Sequence, residues 1–157
     1  MKNSTLENQF DALDKRIITE LSDNSRIVFS QLAEKLNVSN SLIHQRVKKL
    51  EESGVFVKAI YQLDEMVLGY ETSAFIQIMV THVDFLNPVI GELKKIPEVV
   101  ECFNVAGRYA LMVKIFTVNN AHLRDILYDR IQTIEGVEAT NTIFCFRTQF
   151  RRAPHVS

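Results

Sequence analysis

Apolar residues in the first third of the chain recur at the three- and four-residue spacing of amphipathic helices. The spacing predicts one helix over 10–21, a second over 29–36 and a third that begins after Ser39 and ends before Gly54. The second helix ends at Asn37, a residue type that suits the left-handed turn at a helix C-terminus. This pattern is typical of a compact three-helix unit with tight turns.

From Val55 onward the pattern changes to β-branched and aromatic runs separated by turn residues, which indicates strands. The predicted elements are a linking strand Val55–Leu63, a strand Thr72–Val80, a helix opened by Asn87-Pro88 or Asp84, strands Val99–Val105 and Leu111–Thr117 joined by a hairpin, a helix capped by Asn119 or Asn120, and a strand Val137–Phe146. The order βαββαβ predicts a ferredoxin-like sandwich with both helices on one face of an antiparallel sheet. A similar helix-to-strand corner at 96–101 and 134–138 supports two related halves.

The last predicted strand carries bulky apolar groups on both of its faces, since Phe144 and Ile143 alternate along it. The two helices can cover only one face of the sheet, and a large apolar surface does not stay exposed to water. A second sheet from an identical subunit is the simplest cover. The sequence therefore predicts an obligate homodimer.

Composition and charge narrow the class of protein. The chain has 18 Lys and Arg against 19 Asp and Glu, a formal net charge of −1, so any basic surface must be a local patch. The N-terminus has no apolar targeting region and no run is long enough to cross a bilayer, which predicts a soluble, cytoplasmic protein. Cys102 and Cys145 lie in predicted strands without ligand spacing, which predicts two reduced, buried thiols.

The third predicted helix is the strongest candidate for a functional element. From Ser39 to Leu50 it carries three cations and no acid. Short polar, amide and basic side chains suit a helix that enters the DNA major groove and contacts phosphates and base edges. The candidate DNA-binding residues are Ser39, Asn40, Ser41, His44, Gln45, Arg46, Lys48 and Lys49. An ordinary solvated helix face is the competing interpretation, but the short helix and tight turn before it favour a recognition helix.

Three segments resemble the Lrp/AsnC (feast/famine) transcription regulators of bacteria and archaea. They are the D-x-x-D-x-x-I-x-x-x-L opening at Asp11, the third helix from Ser41 to Gly54, and the I-x-x-I-x-G-V-x-x-T-x-T corner that ends at Thr142. The resemblance extends from Leu13 to about Arg147. It implies a helix-turn-helix domain, a linking strand, and a ferredoxin-like domain that dimerises through its sheets, often forms octamers, and binds amino acids or related metabolites between dimers.

The predicted fold class is α+β. An N-terminal helix-turn-helix, winged-helix-like domain is expected at 1–54, a linking strand and hinge at 55–70, and a C-terminal ferredoxin-like βαββαβ effector-binding and oligomerisation domain at 71–157. The resemblance implies a sequence-specific, ligand-responsive transcription regulator that needs no cofactor. Its expected partners are double-stranded DNA, further copies of the chain as a dimer or octamer, and an amino acid or related small metabolite, with no membrane.

One hairpin departs from the family pattern. Family members that bind amino acids usually carry G-D/E-Y/F-D in this hairpin, and its carboxylates can bind the ammonium group of a ligand. This chain has Gly107-Arg108-Tyr109-Ala110 at the same place. The loss of two carboxylates and the gain of a cation predict an anionic ligand or no ligand. Together with this hairpin, the resemblance makes Asn120, Thr140 and Thr142 candidate effector-binding residues.

Two other functions stay open at this point. A nucleoid-type architectural protein that needs no effector would bind DNA with little sequence preference. A small-molecule enzyme is disfavoured because the sequence shows no nucleophile and base in a motif, no glycine-rich phosphate loop, and no ligand spacing among its four histidines. His82 and Asp84 lie two residues apart, where a solvated loop is favoured over a metal site.

Overall fold

The chain divides into two compact units. The structure is a computed structural model that describes residues 9–156. One unit contains residues 9–62 together with 150–156, and the other is Leu63–Gln149. This division differs from the expected boundaries, because the linking segment is split after Gln62 and the last described residues belong to the helical unit and not to the sheet.

Three helices form the helical unit: α1 (Ala12–Asp23), α2 (Phe29–Leu36) and α3 (Asn40–Glu52). Their predicted apolar stripes meet in one core, in which Ile17, Leu32, Ile43 and Leu50 are fully buried. Burial of one such side chain stabilises the fold by about 1.5–3 kcal/mol. The core therefore holds the three helices together.

Two caps set the tight turn between α2 and α3. Asn37 ends α2 with φ 55° and ψ 50°, a left-handed conformation that Asn tolerates better than most residues. Ser39 begins α3, and its Oγ accepts a hydrogen bond from the Leu42 amide at 3.2 Å. The pattern of a short helix, a tight turn and a capped helix is that of a helix-turn-helix.

The second unit has the predicted order βαββαβ, and the α+β fold class is confirmed. Its elements are β1 (Thr72–Val80), α4 (Leu86–Leu93), β2 (Val99–Asn104), β3 (Leu111–Thr117), α5 (Asn120–Ile126) and β4 (Val137–Phe144). A 3₁₀ turn, Val83–Phe85, leads into α4, and a π-helical turn, Leu127–Ile131, extends α5. The antiparallel sheet has the strand order β2-β3-β1-β4.

Both helices pack on one face of this sheet. Ile76 and Ile78 of β1 are fully buried, and they cluster with Ile115 of β3, Leu93 of α4 and Ile131 beyond α5. The alternating burial along β1 follows the two-residue period of a strand with one covered face.

The opposite face of the sheet carries apolar groups around one lysine. Phe75 of β1 pairs with Ile143 of β4 and with Lys114 of β3, so these three side chains lie on the same face. Lys114 is only 5% exposed, and its ammonium lies 5.0 Å from the ring of Phe116 and 5.6 Å from that of Phe75. Aromatic faces attract a cation at this distance, and they shield it from water.

Two expectations about local structure are wrong for the single chain. Residues 55–63 form no strand in the part of the chain that the structure describes, and Val57 and Tyr61 are 88% and 72% exposed. A strand needs a hydrogen-bonded neighbour, and periodicity alone does not show whether the same chain supplies one. Cys102 is exposed and Cys145 half-buried, and both are free thiols; β2 is an edge strand, so Cys102 is not enclosed as expected.

Within residues 9–156, no helix is both long and apolar enough to span a membrane. The same residues contain no group of three or more His, Cys, Asp or Glu that could hold a metal ion. His82 and Asp84 form an exposed local pair, with Nδ1 and Oδ2 3.0 Å apart. The pair lies at the start of the 3₁₀ turn.

We predict that the lysine-bearing face of the sheet is the dimer contact. Ile143→Lys should weaken the dimer about a hundredfold, because each chain loses about 1.5 kcal/mol of apolar burial and two chains meet there. Sedimentation velocity over a concentration series measures the change.

Phe144→Lys is the matched control. Phe144 neighbours Ile143 on β4 and is similarly exposed, at 50% against 45%, but it points to the other face. Equal weakening by both substitutions, or a stable monomer in the unmodified protein, would contradict the assignment.

Candidate functional sites

The surface of α3 divides into three rows around the helix axis. Ile43, Val47 and Leu50 are buried against the core. At 100° per residue, Ser41, Gln45 and Lys48 point away from that core. All of Ser41, Gln45 and Lys48 are exposed, so the face of α3 that can enter a DNA groove carries a hydroxyl, an amide and an ammonium.

A second row on α3 faces α1 and is held by a buried carboxylate. Asp14 of α1 is 0% exposed. Arg46 Nη1 donates to Asp14 Oδ1 at 3.0 Å, and Lys49 Nζ donates to Asp14 Oδ2 at 3.2 Å. Arg46 also donates to Asp11 Oδ2 at 2.5 Å. These contacts link the first turn of α1 to the middle of α3.

Asp11 and Asp14 also cap α1 reciprocally. The Asp14 amide donates to Asp11 Oδ1 at 2.8 Å, and the Asp11 amide donates to Asp14 Oδ2 at 3.3 Å. This capping box satisfies two amides that have no partner within the helix. The same two carboxylates therefore cap the N-terminus of α1 and bind side chains of α3.

The Asp14 amide and the Arg46 guanidinium lower the pKa of the Asp11 carboxyl below its usual value. The hydrogen bonds to Asp11 and Asp14 raise the pKa of Arg46. Because the Asp11 pKa is lower in the folded chain, its contacts stabilise the fold above the unfolded pKa of about 4. That contribution is lost as the pH falls through the folded value.

The structure gives Arg46 and Lys49 contacts within the protein, and their expected contact with DNA stays a prediction. Both were candidates for DNA contact, but both donate to Asp14 in the described chain. Arg46 is half-buried, whereas Lys49 keeps an exposed side chain. Lys48 is the cation of α3 on the outward row, and its ammonium lies 3.9 Å from Glu52 in an exposed pair, which is a weak contact.

The N-terminal part of α3 presents the remaining candidates. Ser39, Asn40 and His44 are exposed. The His44 ring contacts the edge of the Phe29 ring of α2 at a centroid distance of 4.8 Å. His44 therefore lies on the α2 side of the helix, opposite the Arg46 and Lys49 row.

The anchoring role of Asp14 was not among the sequence-based expectations, although its signal is present in the sequence. Asp14 precedes Ile17, Ile18 and Leu21 by three, four and seven residues, the spacing of the buried stripe of α1. An acid at an apolar position of a helix requires a buried cation or donor.

The effector candidates fall at two ends of the sheet. The hairpin is anchored by the Ala110 amide, which donates to the Ile78 carbonyl at 3.0 Å. Thr140 pairs with Ile78 from the other side of β1, so Thr140 and the hairpin flank the same residue. Thr140 Oγ1 accepts a hydrogen bond from Gln132 Nε2 at 2.7 Å.

Asn120 lies at the far end of β1 within the single chain. Its Oδ1 accepts a hydrogen bond from Thr72 Oγ1 at 2.8 Å. Thr72 and Ile78 are six positions apart on β1, a distance of about 20 Å. Thr142 pairs with Ile76 between the two ends. One chain therefore brings the hairpin near Thr140 but not near Asn120.

The hairpin itself presents a cation. Gly107 adopts φ +130°, a conformation that L side chains rarely adopt. Arg108 is exposed and its guanidinium lies 5.9 Å from the Tyr109 ring centroid. Tyr109 and Ala110 are half-buried.

These features define a helix-turn-helix DNA-binding unit joined to a ferredoxin-like unit. Residues 10–57 match the family described as winged helix-turn-helix DNA-binding, and residues 73–154 match the Lrp/AsnC ligand binding domain. The chain is 36% identical over 138 residues to the HTH-type transcriptional regulator FL11 of Pyrococcus horikoshii, covering 88% of this chain and 90% of the relative.

Solved structures agree with this assignment. AsnC of E. coli has a TM-score of 0.87 at 27% identity, covering 94% of this chain and 99% of that chain. The feast or famine regulatory protein of M. tuberculosis complexed with L-methionine has a TM-score of 0.86 at 26% identity and the same coverage.

The chain belongs to the Lrp/AsnC family of transcriptional regulators, as its motifs at Asp11, α3 and Thr142 indicated. It is a DNA-binding regulator with a ligand-binding domain, and its family consists of regulators and not of enzymes.

We predict that Asp14→Asn destabilises the helical unit by about 2 kcal/mol, the usual worth of hydrogen bonds to a charged group. Amide hydrogen exchange of α1 and α3 at pH 7 measures the change. The control Asp23→Asn removes an exposed acid from the other end of α1 and should change stability by less than about 0.5 kcal/mol. Similar protection in the two variants would rule out the anchoring role of Asp14.

Proposed function

We propose that α3 reads its operator through the outward row Ser41, Gln45 and Lys48. Gln45 lies in the middle of this row, where its amide can pair with the N6 and N7 atoms of adenine. Lys48 binds a DNA phosphate. At the N-terminus of α3, the side chains of Ser39, Asn40 and Ser41 approach the sugar-phosphate backbone of the DNA. The observation that carries this proposal is the exposure of this row opposite the buried face of α3.

Arg46 and Lys49 act as positioning residues in this proposal. Their contacts with Asp14 fix the rotation of α3 about its own axis. His44 supports the helix from the other side through Phe29. In a symmetric dimer, two such helices address half-sites about one helical turn, or a multiple of it, apart.

Base contacts specify the sequence, whereas phosphate contacts add affinity for every sequence. Gln45→Ala should therefore lower discrimination against a base substitution in the operator by about 1–3 kcal/mol. Lys48→Ala should weaken selected and scrambled duplexes equally and reduce the salt slope by about 0.9 per lost contact. Fluorescence anisotropy with a duplex selected from a random library, over a salt series, measures both.

The control is Lys94→Ala, which removes an exposed lysine of the sheet unit. It should change neither the discrimination against a base substitution nor the salt slope. Unaltered specificity in Gln45→Ala, with the same salt slope in Lys48→Ala as in the unmodified protein, would reject this assignment. Equal affinity for the selected and scrambled duplexes would instead favour an architectural protein.

We also infer that the effector is an anionic metabolite that contacts Arg108. The hairpin carries a guanidinium where amino-acid-binding members carry acids, so it can pair with a carboxylate but offers no counter-charge to an ammonium. Thr140, beside the hairpin, supplies a hydroxyl. Asn120 can join this site only from another subunit, because its own chain places it about 20 Å away.

Thermal unfolding with matched pairs of 2-oxo acids and amino acids tests the effector class. A 2-oxo acid at a hundred times its Kd should stabilise the protein by about 2.7 kcal/mol, and Arg108→Ala should abolish the shift. The control Arg124→Ala removes an exposed arginine of α5. Micromolar binding of amino acids that Arg108→Ala does not diminish would show that the ligand class is wrong.

The expected location of the protein is the cytoplasm, where a regulator meets DNA. This proposal is supported by the DNA-binding fold of the relatives. Fractionation of cells that express the protein tests it.

A further inference from the structure

The lysine-bearing face of the sheet holds a nearly buried cation that has no acid bound to it. Lys114 is 5% exposed. Its ammonium lies 5.0 Å from the ring centroid of Phe116 and 5.6 Å from that of Phe75, and no residue of the described chain forms an ion pair with it. Aromatic faces attract a cation, but they offset only part of the cost of taking a charge out of water. The charge of Lys114 therefore requires an anion.

A second polar group on this face also lacks a partner. Ser73 Oγ is buried and has no hydrogen-bond partner within residues 9–156. Ser73 pairs with Phe116 in the sheet, and Phe75 pairs with Lys114, so Ser73 and Lys114 are diagonal neighbours on the same face. A hydroxyl and an ammonium at this spacing can donate to one anion.

The other polar groups of this face leave Lys114 without a counter-charge. Asn141 Nδ2 donates to Gln77 Oε1 at 2.8 Å, so these two amides satisfy each other. Glu101 of the edge strand β2 pairs in register with Lys114, but it is exposed and forms no ion pair with Lys114 in the described chain. The alternative to a bound anion is therefore a movement of Glu101 onto Lys114, which a variant of Glu101 tests.

Lys114 lies near the centre of the face, so a dimer through this face brings two copies of it together. It is the fourth of the seven residues of β3, and β3 is one of the two inner strands of the sheet. A two-fold axis through the centre of the face lies within about 5 Å, one strand spacing, of β3 in each copy. Packed sheets are about 10 Å apart, so the two ammoniums extend towards each other. Like charges in a water-poor interface repel strongly.

We propose that the dimer binds one small dianion at its two-fold axis, held by Lys114 and Ser73 of both copies. Inorganic sulfate and phosphate have the required charge and size. Each ammonium donates to an oxygen of the anion at about 2.8 Å, so the anion separates the two cations and neutralises both. The site is incomplete in one chain and depends on the dimer contact predicted for this face. It is separate from the effector site proposed at Arg108.

Mass action links anion binding to dimerisation. Below saturation, a tenfold rise in millimolar sulfate at constant ionic strength should tighten the dimer about tenfold, because one anion binds for each dimer formed. Lys114→Met should remove this dependence. Without sulfate, its dimer should be at least as tight as that of the unmodified protein, because two repelling buried cations are replaced by apolar groups. Sedimentation velocity of the labelled full-length protein measures the dissociation constants.

Two further variants separate this site from other effects of sulfate. Ser73→Ala should keep the sulfate dependence but shift it to higher concentrations, because one donor per copy is lost. Lys94→Met, which removes an exposed lysine of the same unit, should behave like the unmodified protein. The Lys114→Met protein also shows how far sulfate strengthens apolar association in general.

Calorimetry supplies a second readout through the stoichiometry. A site on the two-fold axis binds one sulfate per two chains, whereas a site at Arg108 binds one per chain. Arg108→Ala should therefore keep the half-stoichiometric binding, and Lys114→Met should lose it. Loss of this binding in Arg108→Ala, with none lost in Lys114→Met, would assign the anion to the hairpin and overturn the axial site.

A dimer of the unmodified protein that does not respond to sulfate, or a response that persists in Lys114→Met, would also overturn the site. Weaker dimers in both Lys114→Met and Glu101→Gln, without a sulfate effect, would identify Glu101 as the group that neutralises Lys114. If Ile143→Lys leaves the dimer intact, the dimer contact and the anion site fail together, whereas the proposals for α3 and Arg108 are unaffected.

Discussion

The orientation of the recognition helix depends on the buried carboxylate of Asp14. Apolar side chains hold α1 and α3 together, but a contact between apolar stripes tolerates a small rotation or slide. A buried carboxylate tolerates less movement of the helices, because its burial is energetically costly unless donors lie at hydrogen-bond distance. Arg46 and Lys49 supply those donors from one side of α3. The outward direction of Ser41, Gln45 and Lys48 is therefore a consequence of an ionic contact on a different side of the helix.

The sheet unit uses a charge in a different way. Lys114 lies between two phenylalanine rings on the face away from the helices, where it is almost fully buried even in the single chain. The strand β1 organises this face, because it pairs with both β3 and β4 and places Phe75 at the centre. This face has an apolar surface, which favours self-association. It also has a nearly buried cation, whose charge must be compensated by nearby groups in the assembled protein.

Sequence patterns predicted the elements well where the controlling interactions are local. Helical spacing located α1 to α3, and Ser39 and Asn37 were recognised as caps, because these signals lie within a few residues. The strand expected at Val55–Leu63 depends on a neighbour that the described chain does not supply. The roles of Arg46 and Lys49 depend on Asp14, more than thirty residues away in sequence, and helical periodicity shows only which face they occupy.

The helical unit is discontinuous in sequence, since its last segment follows the complete sheet unit. A chain emerging from the ribosome can form α1 to α3 early, but Val156 can pack against the helical core only after the sheet unit has been made. The intervening sheet brings the two ends of a loop of nearly ninety residues together, which reduces the entropy lost when the segment docks. The helical unit can therefore be completed only after the sheet unit has been synthesised.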